Sequence, residues 1–498
     1  MTDERPGTEG AEERGAAGAE ERRAAGDGGR DWWSRAWRAG VATGTRARDA
    51  VVNHWFVLLT FVVGVLVGVL LSTVAANGWP LVGGDDDYDT GGDVLVVLSG
   101  EDNSPGDQHA RLIRTWNRLH PEAKAEIREL SDNATLALSA MRGAAQSAAH
   151  DVDVYNLDVT STAEFADNDW IVPIEGADTT GFLEKPLATC RYRGELWALP
   201  FSTDAGLLYY RGKQLRSHGI DAERANLKAH PPQSWDTLSR IVDTAFNGPR
   251  PAGDPLAAGY TGQFKNDYEG FTVNVMEAIW AEDGEIVDAD GEVRLKSDAA
   301  GTALRSLGEA LRSPREILPA SSTFKETESK DAFGAGQVLF MRNWPLAYRQ
   351  LTSPRSEAAT GSAGAVPPAA TDIDVTQLPG PSALGGQNLA VAAESRHQRQ
   401  AQALVEFLTS ETSQQILFQD GGFPATRQRV YEDPRIRQKY SYATTLLTAV
   451  KDARLRPVTP YYPRFSAVFR EIADDVLTTG RDVSDHDVRR LQDALEGK

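Results

Sequence analysis

The sequence predicts an α/β fold over residues 93–498, preceded by one N-terminal transmembrane helix. Three observations predict it. Residues 55–76 form an uncharged apolar run, WFVLLTFVVGVLVGVLLSTVAA. Residues 94–98, VLVVL, are a short continuous apolar stretch followed by a polar loop and a helical stripe, which is how a buried parallel strand and its crossover helix read. Residues 151–158, DVDVYNLD, repeat the strand signal between helix-like segments.

A bilayer core of about 30 Å needs roughly 20 apolar residues in a helix, and the 55–76 run supplies them. Arg35, Arg38, Arg46 and Arg48 precede it. Asp85, Asp86, Asp87, Asp89 and Asp93 come after it, with no Lys or Arg before Arg111. The positive-inside rule therefore leaves the N-terminal tail in the cytoplasm and exports the rest of the chain. The alternative is a cleaved signal peptide with Val74, Ala75 and Ala76 at the cut. A signal peptide, however, has a short charged n-region and an apolar stretch of roughly 7–15 residues. The single cysteine, Cys190, lies far beyond the run, so no lipid-anchoring cysteine adjoins it and no internal disulfide can form.

Residues 1–50, rich in Ala, Gly, Glu and Arg, are expected to be a disordered tail. The helix is assigned to 51–77 and a hydrated Gly/Asp linker to 78–92. Trp32, Trp33 and Trp37, with Arg35 and Arg38 between them, suit an inner-leaflet interfacial patch or a partner-binding motif.

Within the exported part, Ala110, Ile113, Trp116, Asn117 and Leu119 fall on one helical stripe that Pro121 ends. A second strand is expected at 127–130 and an Ala-rich helix at 134–149. The alternation implies a mostly parallel sheet with right-handed crossovers. Ligands bind beyond the carboxyl ends of such strands, which points to Glu101, Asp102 and Asp158. Asp158 has the alternative role of capping the helix after it. Further along, 268–280 reads as an amphipathic helix and 403–418 as a helical stretch re-capped near Ser410 and Thr412. Residues 333–345 read as a helix end, a short strand and a Trp-Pro turn, and 366–381 as an exposed loop.

The formal net charge of −19 argues against nucleic acid as a partner. No P-loop, GxSxG or HExxH pattern occurs, and the eight histidines are scattered. No metal, cofactor or catalytic role is expected.

Seven stretches then carry a resemblance: VYNLDVTSTAEFADNDWIVPIE (154–175), RGELWALPFSTDAGLLYYRGKQL (193–215), PPQSWDTL (231–238), GQFKNDYEGFTVN (262–274), FGAGQVLFMRNWPLAY (333–348), LGGQNLAV (384–391) and RPVTPYY (456–462). In this order the exported part resembles the extracellular solute-binding proteins of ABC importers, of the maltose, trehalose and oligosaccharide type. The resemblance implies a two-lobe periplasmic-binding-protein fold of type II. Lobe 1 would span about 93–203 and 388–440, lobe 2 about 204–387 and 441–498. Chain crossings would lie near 203–207, near 384–391 and around 435–450.

It also implies a ligand set of Glu101, Asp102, Asp158, Asp204, Tyr268, Glu269, Trp344, Gln387, Arg456, Tyr461 and Tyr462. Trp344 has the alternative of a core role, and Tyr461 and Tyr462 that of packing between lobes. Carboxylates and Arg hydrogen-bond vicinal hydroxyls, and aromatic faces cover pyranose C–H faces, so a mono-, di- or oligosaccharide is the implied solute. Partners would be ABC permease subunits and, through 55–76, the lipid bilayer. Two departures stand out. Ser161 and Gln387 occupy positions that are often Trp in the sugar-binding relatives, each platform being worth roughly 0.5–1.5 kcal/mol. A tethering helix also replaces the lipidated cysteine usual in Gram-positive members. That leaves an alternative: a membrane-tethered receptor or regulatory subunit that senses a ligand with the same fold and signals through its helix and tail. A glycosidase with paired carboxylates is a third reading.

Overall fold

The computed structural model describes residues 90–102, 106–131, 134–147, 149–352 and 372–498, all within the unit Asp85–Lys498. The tail, the 55–76 run and most of the linker lie outside the described residues. Among the described residues, no helix is long and apolar enough to cross a membrane.

The elements that position the cleft run in chain order as β1 (Leu95–Gly100), α1 (Gln108–Leu119), β2 (Ala125–Leu130), α2 (Ala134–Ala145), β3 (Val154–Asp158), β4 (Leu199–Ala205) and β5 (Leu207–Arg211). They continue as α3 (Trp235–Asn247), β6 (Ala258–Thr261), α4 (Glu269–Ala281), α5 (Asp298–Arg312), α6 (Glu326–Gly334), β7 (Val338–Asn343), β8 (Ile373–Gln377) and β9 (Leu384–Val391). The chain closes with α7 (Gln398–Leu408), α8 (Ala443–Asp452), α9 (Tyr462–Thr479) and α10 (Asp485–Leu495).

These strands form two sheets, ordered β2-β1-β3-β9-β4 and β8-β5-β7-β6. In the first, β1 pairs parallel with β2 and β3, while β9 runs antiparallel between β3 and β4. Leu95, Leu98, Val154 and Leu157 are almost fully enclosed, as strands covered on both faces require. Trp116 on α1 is buried and donates its indole N–H to the carbonyl of Ala123. This ties the helix to the turn beyond it.

The sheets are joined where β4 passes into β5 with only Gly206 between them. A second passage, residues 378–383, leads from β8 in the second sheet to β9 in the first; it lies just before the 384–391 stretch. The third begins with α8, which packs on β8 and on β4, and ends in α9, which packs on α4, α5 and α10. The second and third passages are hydrogen-bonded side by side: Leu384 N–H to Arg454 O at 2.9 Å, Arg454 N–H to Ser382 O at 2.9 Å. Around them a core cluster holds Ala205 and Leu207 with Phe418, Tyr431, Tyr440 and Tyr442.

A buried ion pair sits at this junction. Arg342 on β7 donates Nε to Glu277 Oε2 at 2.9 Å and Nη2 to Oε1 at 2.8 Å, with side chains 0% and 3% exposed. Glu277 Oε1 also accepts the backbone N–H of Ala383 at 3.0 Å. The pair lies so close to Gly206 that a Cβ there would fall 2.6 Å from Glu277 Oε1 and 2.8 Å from Arg342 Nη2. Two of the three passages therefore touch the same carboxylate.

The structure corrects two readings of the sequence. The stretch expected to be an exposed loop contains β8, whose IDVTQ pattern pairs antiparallel with β5 at the sheet edge. Its flanking prolines hid a strand of only five residues. The Ala-rich helix ends at Ala145 rather than Ala149. The first sheet is mostly parallel, as expected, with β9 alone running antiparallel to its neighbours.

Gly206→Ala is expected to lower stability by about 1–3 kcal/mol, the scale of overpacking a filled core. Gly143→Ala, on α2 with nothing within 4 Å of the new methyl, should raise it by about 0.5–1 kcal/mol. Urea unfolding midpoints of the two variants check both. Equal shifts would show that the junction is not tightly packed.

Candidate ligand-binding cleft

The crossing segments bring several charged groups from both lobes together around Arg456. Its side chain is 5% exposed and lies on the third passage. It donates Nη1 to Glu269 Oε1 at 2.9 Å, and Nη2 approaches Asp158 Oδ1 at 3.4 Å. Asp158 ends β3 in the first sheet, whereas Glu269 opens α4 in the second lobe, so one guanidinium spans the cleft. Burial opposes its charge, but the Tyr462 hydroxyl and the Asp158 and Glu269 carboxylates outweigh that and hold it firmly protonated. Its Nε–H is buried without a partner among the described residues.

Glu269 is nearly saturated by the protein. Oε1 also accepts from the Tyr462 hydroxyl at 2.5 Å, and Oε2 accepts from Ser466 at 2.6 Å and from Arg470 at 3.3 Å. It can orient Arg456 and Tyr462 more readily than it can offer a vacant lone pair. Asp158 keeps its exposure (51% for the side chain) and also accepts from Thr160 N–H and Oγ1 at 2.9 and 2.7 Å. That is a turn-closing role. The cap position of the next helix, residues 162–167, belongs to Ser161, which makes no side-chain capping bond.

A second group is built on Trp344. Its indole N–H donates to Glu326 Oε1 at 3.2 Å, and the Tyr268 hydroxyl donates to Glu326 Oε2 at 2.8 Å. One carboxylate at the start of α6 thus fixes both rings. Burial first, and then Glu326, raise the Tyr268 hydroxyl far above its usual range, so it remains a donor. The Arg342 guanidinium lies 3.8 Å from the Trp344 ring centroid, so a cation supports one face of the indole. Trp344 is partly buried, and its ring edge lies beside Gly385 of β9, as does the Cβ of Asp204. The next residue, Gly386, has φ +124, and a Cβ there would meet Ser202 O at 2.2 Å. Only glycine fits that close approach of β9 to β4.

Asp204 is the carboxylate left open: no protein group donates a hydrogen bond to it among the described residues. Gln387, opposite Asp158 in the β3–β9 register, accepts from Asn156 Nδ2 at 3.0 Å. The β9–β4 ladder slips between Gln387 and Asn388, and Asn388 turns inward to Thr162 and Thr189. Three of the sequence-derived candidates lie apart from these groups. Asp102 accepts the backbone N–H of His109 at 2.9 Å, at the start of α1, with its side chain 3% exposed. Glu101 is exposed. Tyr461 is 42% exposed, with its ring against Gly497.

Glu326, Arg342 and Ser466 were not singled out from the sequence. Arg342 left a signal, the lone charge in the VLFMRN strand. Glu326 left none. Next to Arg456, between residues 159–163 and 455–458, the cleft holds a cavity of about 20 Å³, room for about one water molecule. Among the described residues no group of three His, Cys, Asp or Glu side chains could hold a metal ion.

Burial, reinforced by Asp158 and only partly countered by Arg342, raises the Asp204 carboxyl to about 7, against an ordinary value of about 3.9. A folded-state value above the unfolded one means that the folded protein binds the extra proton. Stability from this group is therefore present below about pH 4 and is lost as pH rises towards 7. Asp204→Asn has no such loss. Its melting temperature relative to the parent protein should rise between pH 5 and pH 8, and a pH-independent difference would remove the assignment.

A family model described as bacterial extracellular solute-binding protein matches residues 128–444. A probable ABC transporter-binding protein of Deinococcus radiodurans is 31% identical over 343 residues, covering 66% of this chain and 76% of that one. Maltose-bound MalE3 of T. maritima superposes with a TM-score of 0.68 at 25% identity, covering 81% of this chain and 99% of that one. The GacH receptor of Streptomyces glaucescens, known unliganded and with acarbose, superposes at 0.65 with 21% identity, over 81% and 99% of the two chains, and shows the fold alone. With its two crossing-linked sheets and more than half its length matched, this chain belongs to the bacterial extracellular solute-binding proteins, a family of binders and not of enzymes.

Proposed function

We propose that the protein captures a carbohydrate-like solute between its lobes and delivers it to an ABC permease, tethered to the membrane through residues 55–76. The observation that carries the solute class is the pairing of an open acceptor with an aromatic face. Asp204 lacks a protein donor and lies beside Trp344, whose ring is held by Glu326 and supported by Arg342. A sugar hydroxyl donates to such a carboxylate, and a pyranose C–H face covers such a ring. The unpartnered Arg456 Nε–H adds a donor for a ring or hydroxyl oxygen. The maltose bound by MalE3 supports the same class.

In this reading Trp344, Asp204 and Arg456 touch the solute. Tyr268, Glu269, Tyr462 and Gln387 hold those groups in place, and Asp158 takes part through Arg456. In this reading the lobes part for entry and close over the solute. The short β4–Gly206–β5 link and the paired second and third passages suit a hinge of this kind. The uncharged 55–76 run, with arginines before it and aspartates after it, supports the tether.

Calorimetry against maltose, trehalose and related sugars tests the proposal. Trp344→Ala should weaken binding by up to about tenfold, as expected for one stacked ring of roughly 0.5–1.5 kcal/mol. Glu269→Gln should weaken it by about ten- to hundredfold, because a charge-assisted bond is worth roughly 1.5–3 kcal/mol. Unchanged affinity in both variants, or no sugar bound by the folded protein, would sink the solute assignment. Membrane fractionation tests the tether. The full chain should resist alkaline extraction, and a mature N-terminus near residue 77 would show cleavage instead.

A further inference from the structure

Away from the cleft, the second lobe contains a cavity of about 450 Å³ bounded by α3, β6, α4 and α5, a size that accommodates a small organic ligand. Trp235 and Tyr260 form an aromatic corner in its wall, edge to face at 5.2 Å. Two donors in that corner have no acceptor among the described residues. The Trp235 indole N–H is buried and unpaired. The Tyr260 hydroxyl makes no hydrogen bond although its residue is only 6% exposed. A buried donor without an acceptor is costly, so the corner is suited to receive an acceptor atom.

Among the described residues, the unpaired charges lining the cavity are of one sign. Arg240 is neutralised by Asp236 at 2.5 Å. Asp243, Glu282, Glu309 and Glu316 line the same space and form no ion pair among the described residues. A field of this sign repels anions and favours cations, and aromatic faces add cation–π attraction.

We infer that this cavity is a second binding site, for a small organic ammonium compound that also carries a hydroxyl or carbonyl oxygen. The oxygen accepts from Trp235 and Tyr260, the apolar body lies against their rings, and the ammonium faces the carboxylates. This assignment is independent of what occupies the cleft.

Tyramine is a suitable probe and 4-hydroxyphenylacetate its control, with the same phenol and the opposite charge. Calorimetry on the full-length protein should show saturable tyramine binding, with the control at least tenfold weaker. Ala310→Trp, which fills the cavity from α5, and the double variant Glu309→Gln/Glu316→Gln should each weaken tyramine at least tenfold. Trp344→Ala, in the cleft, should leave tyramine affinity unchanged. Four outcomes would overturn the inference: no tyramine binding, equal binding of the control, indifference to both cavity variants, or loss of tyramine in Trp344→Ala. Melting temperatures of the variants identify any that fail to fold, and the charge control in the parent protein remains decisive in that case.

Discussion

The buried pair between Glu277 and Arg342 is the constraint on which the rest of the molecule depends. Two charges removed from water cost several kcal/mol each unless they are paired and fully hydrogen-bonded. Here the guanidinium meets both carboxylate oxygens, and Gln263 Oε1 accepts from Nη1 at 3.3 Å. One carboxylate oxygen also holds the backbone N–H of Ala383. Such a pair gains little net stability over an apolar substitute, but it tolerates only one geometry. That geometry forces Gly206 into the first passage, anchors the second, and lays a cation against Trp344.

The cleft derives from this anchor by division of labour. Glu326 and Arg342 hold the indole, Glu269 holds Arg456 and Tyr462, and each of these holders is itself engaged inside the protein. Among the described residues, the groups left open include the Asp204 carboxylate, the Arg456 Nε–H and the indole ring of Trp344. Asp204 bears the electrostatic cost of that openness, since burial beside Asp158 raises its carboxyl to about 7. A carboxylate that solute hydroxyls can satisfy is one the folded protein alone satisfies poorly.

Much of the fold was legible because it is written in short-range pattern. The apolar runs at β1 and β3, the stripe carrying Trp116, and the Trp-Pro turn after β7 declare themselves within a few residues. β8 did not, because a five-residue edge strand between prolines has too little periodicity to separate from a loop. In the site, Trp344, Asp204, Glu269 and Arg456 were named from motif-bearing stretches, and the structure gathers them at the crossings. Asp102 was named, as Asp158 was, by the strand-end argument, yet its carboxylate faces the start of α1. A strand end has two uses for a carboxylate, a ligand or a neighbouring helix, and local sequence does not choose between them.

The sequence by itself determined the alternation of strands and helices, the family, and the residue types available for a solute. Those properties depend on composition, on periods of two and 3.6 residues, and on ordered motifs, all readable along the chain. Only the tertiary structure decided that Glu326 orients Trp344 and Tyr268, that Glu269 is occupied while Asp204 is open, and that the second lobe encloses an acidic aromatic cavity. Each of these rests on contacts between residues separated in sequence, from 18 positions for Glu326 and Trp344 to 201 for Glu269 and Arg470. Distance along the chain carries no record of such a contact, because three separate passages between two sheets create it.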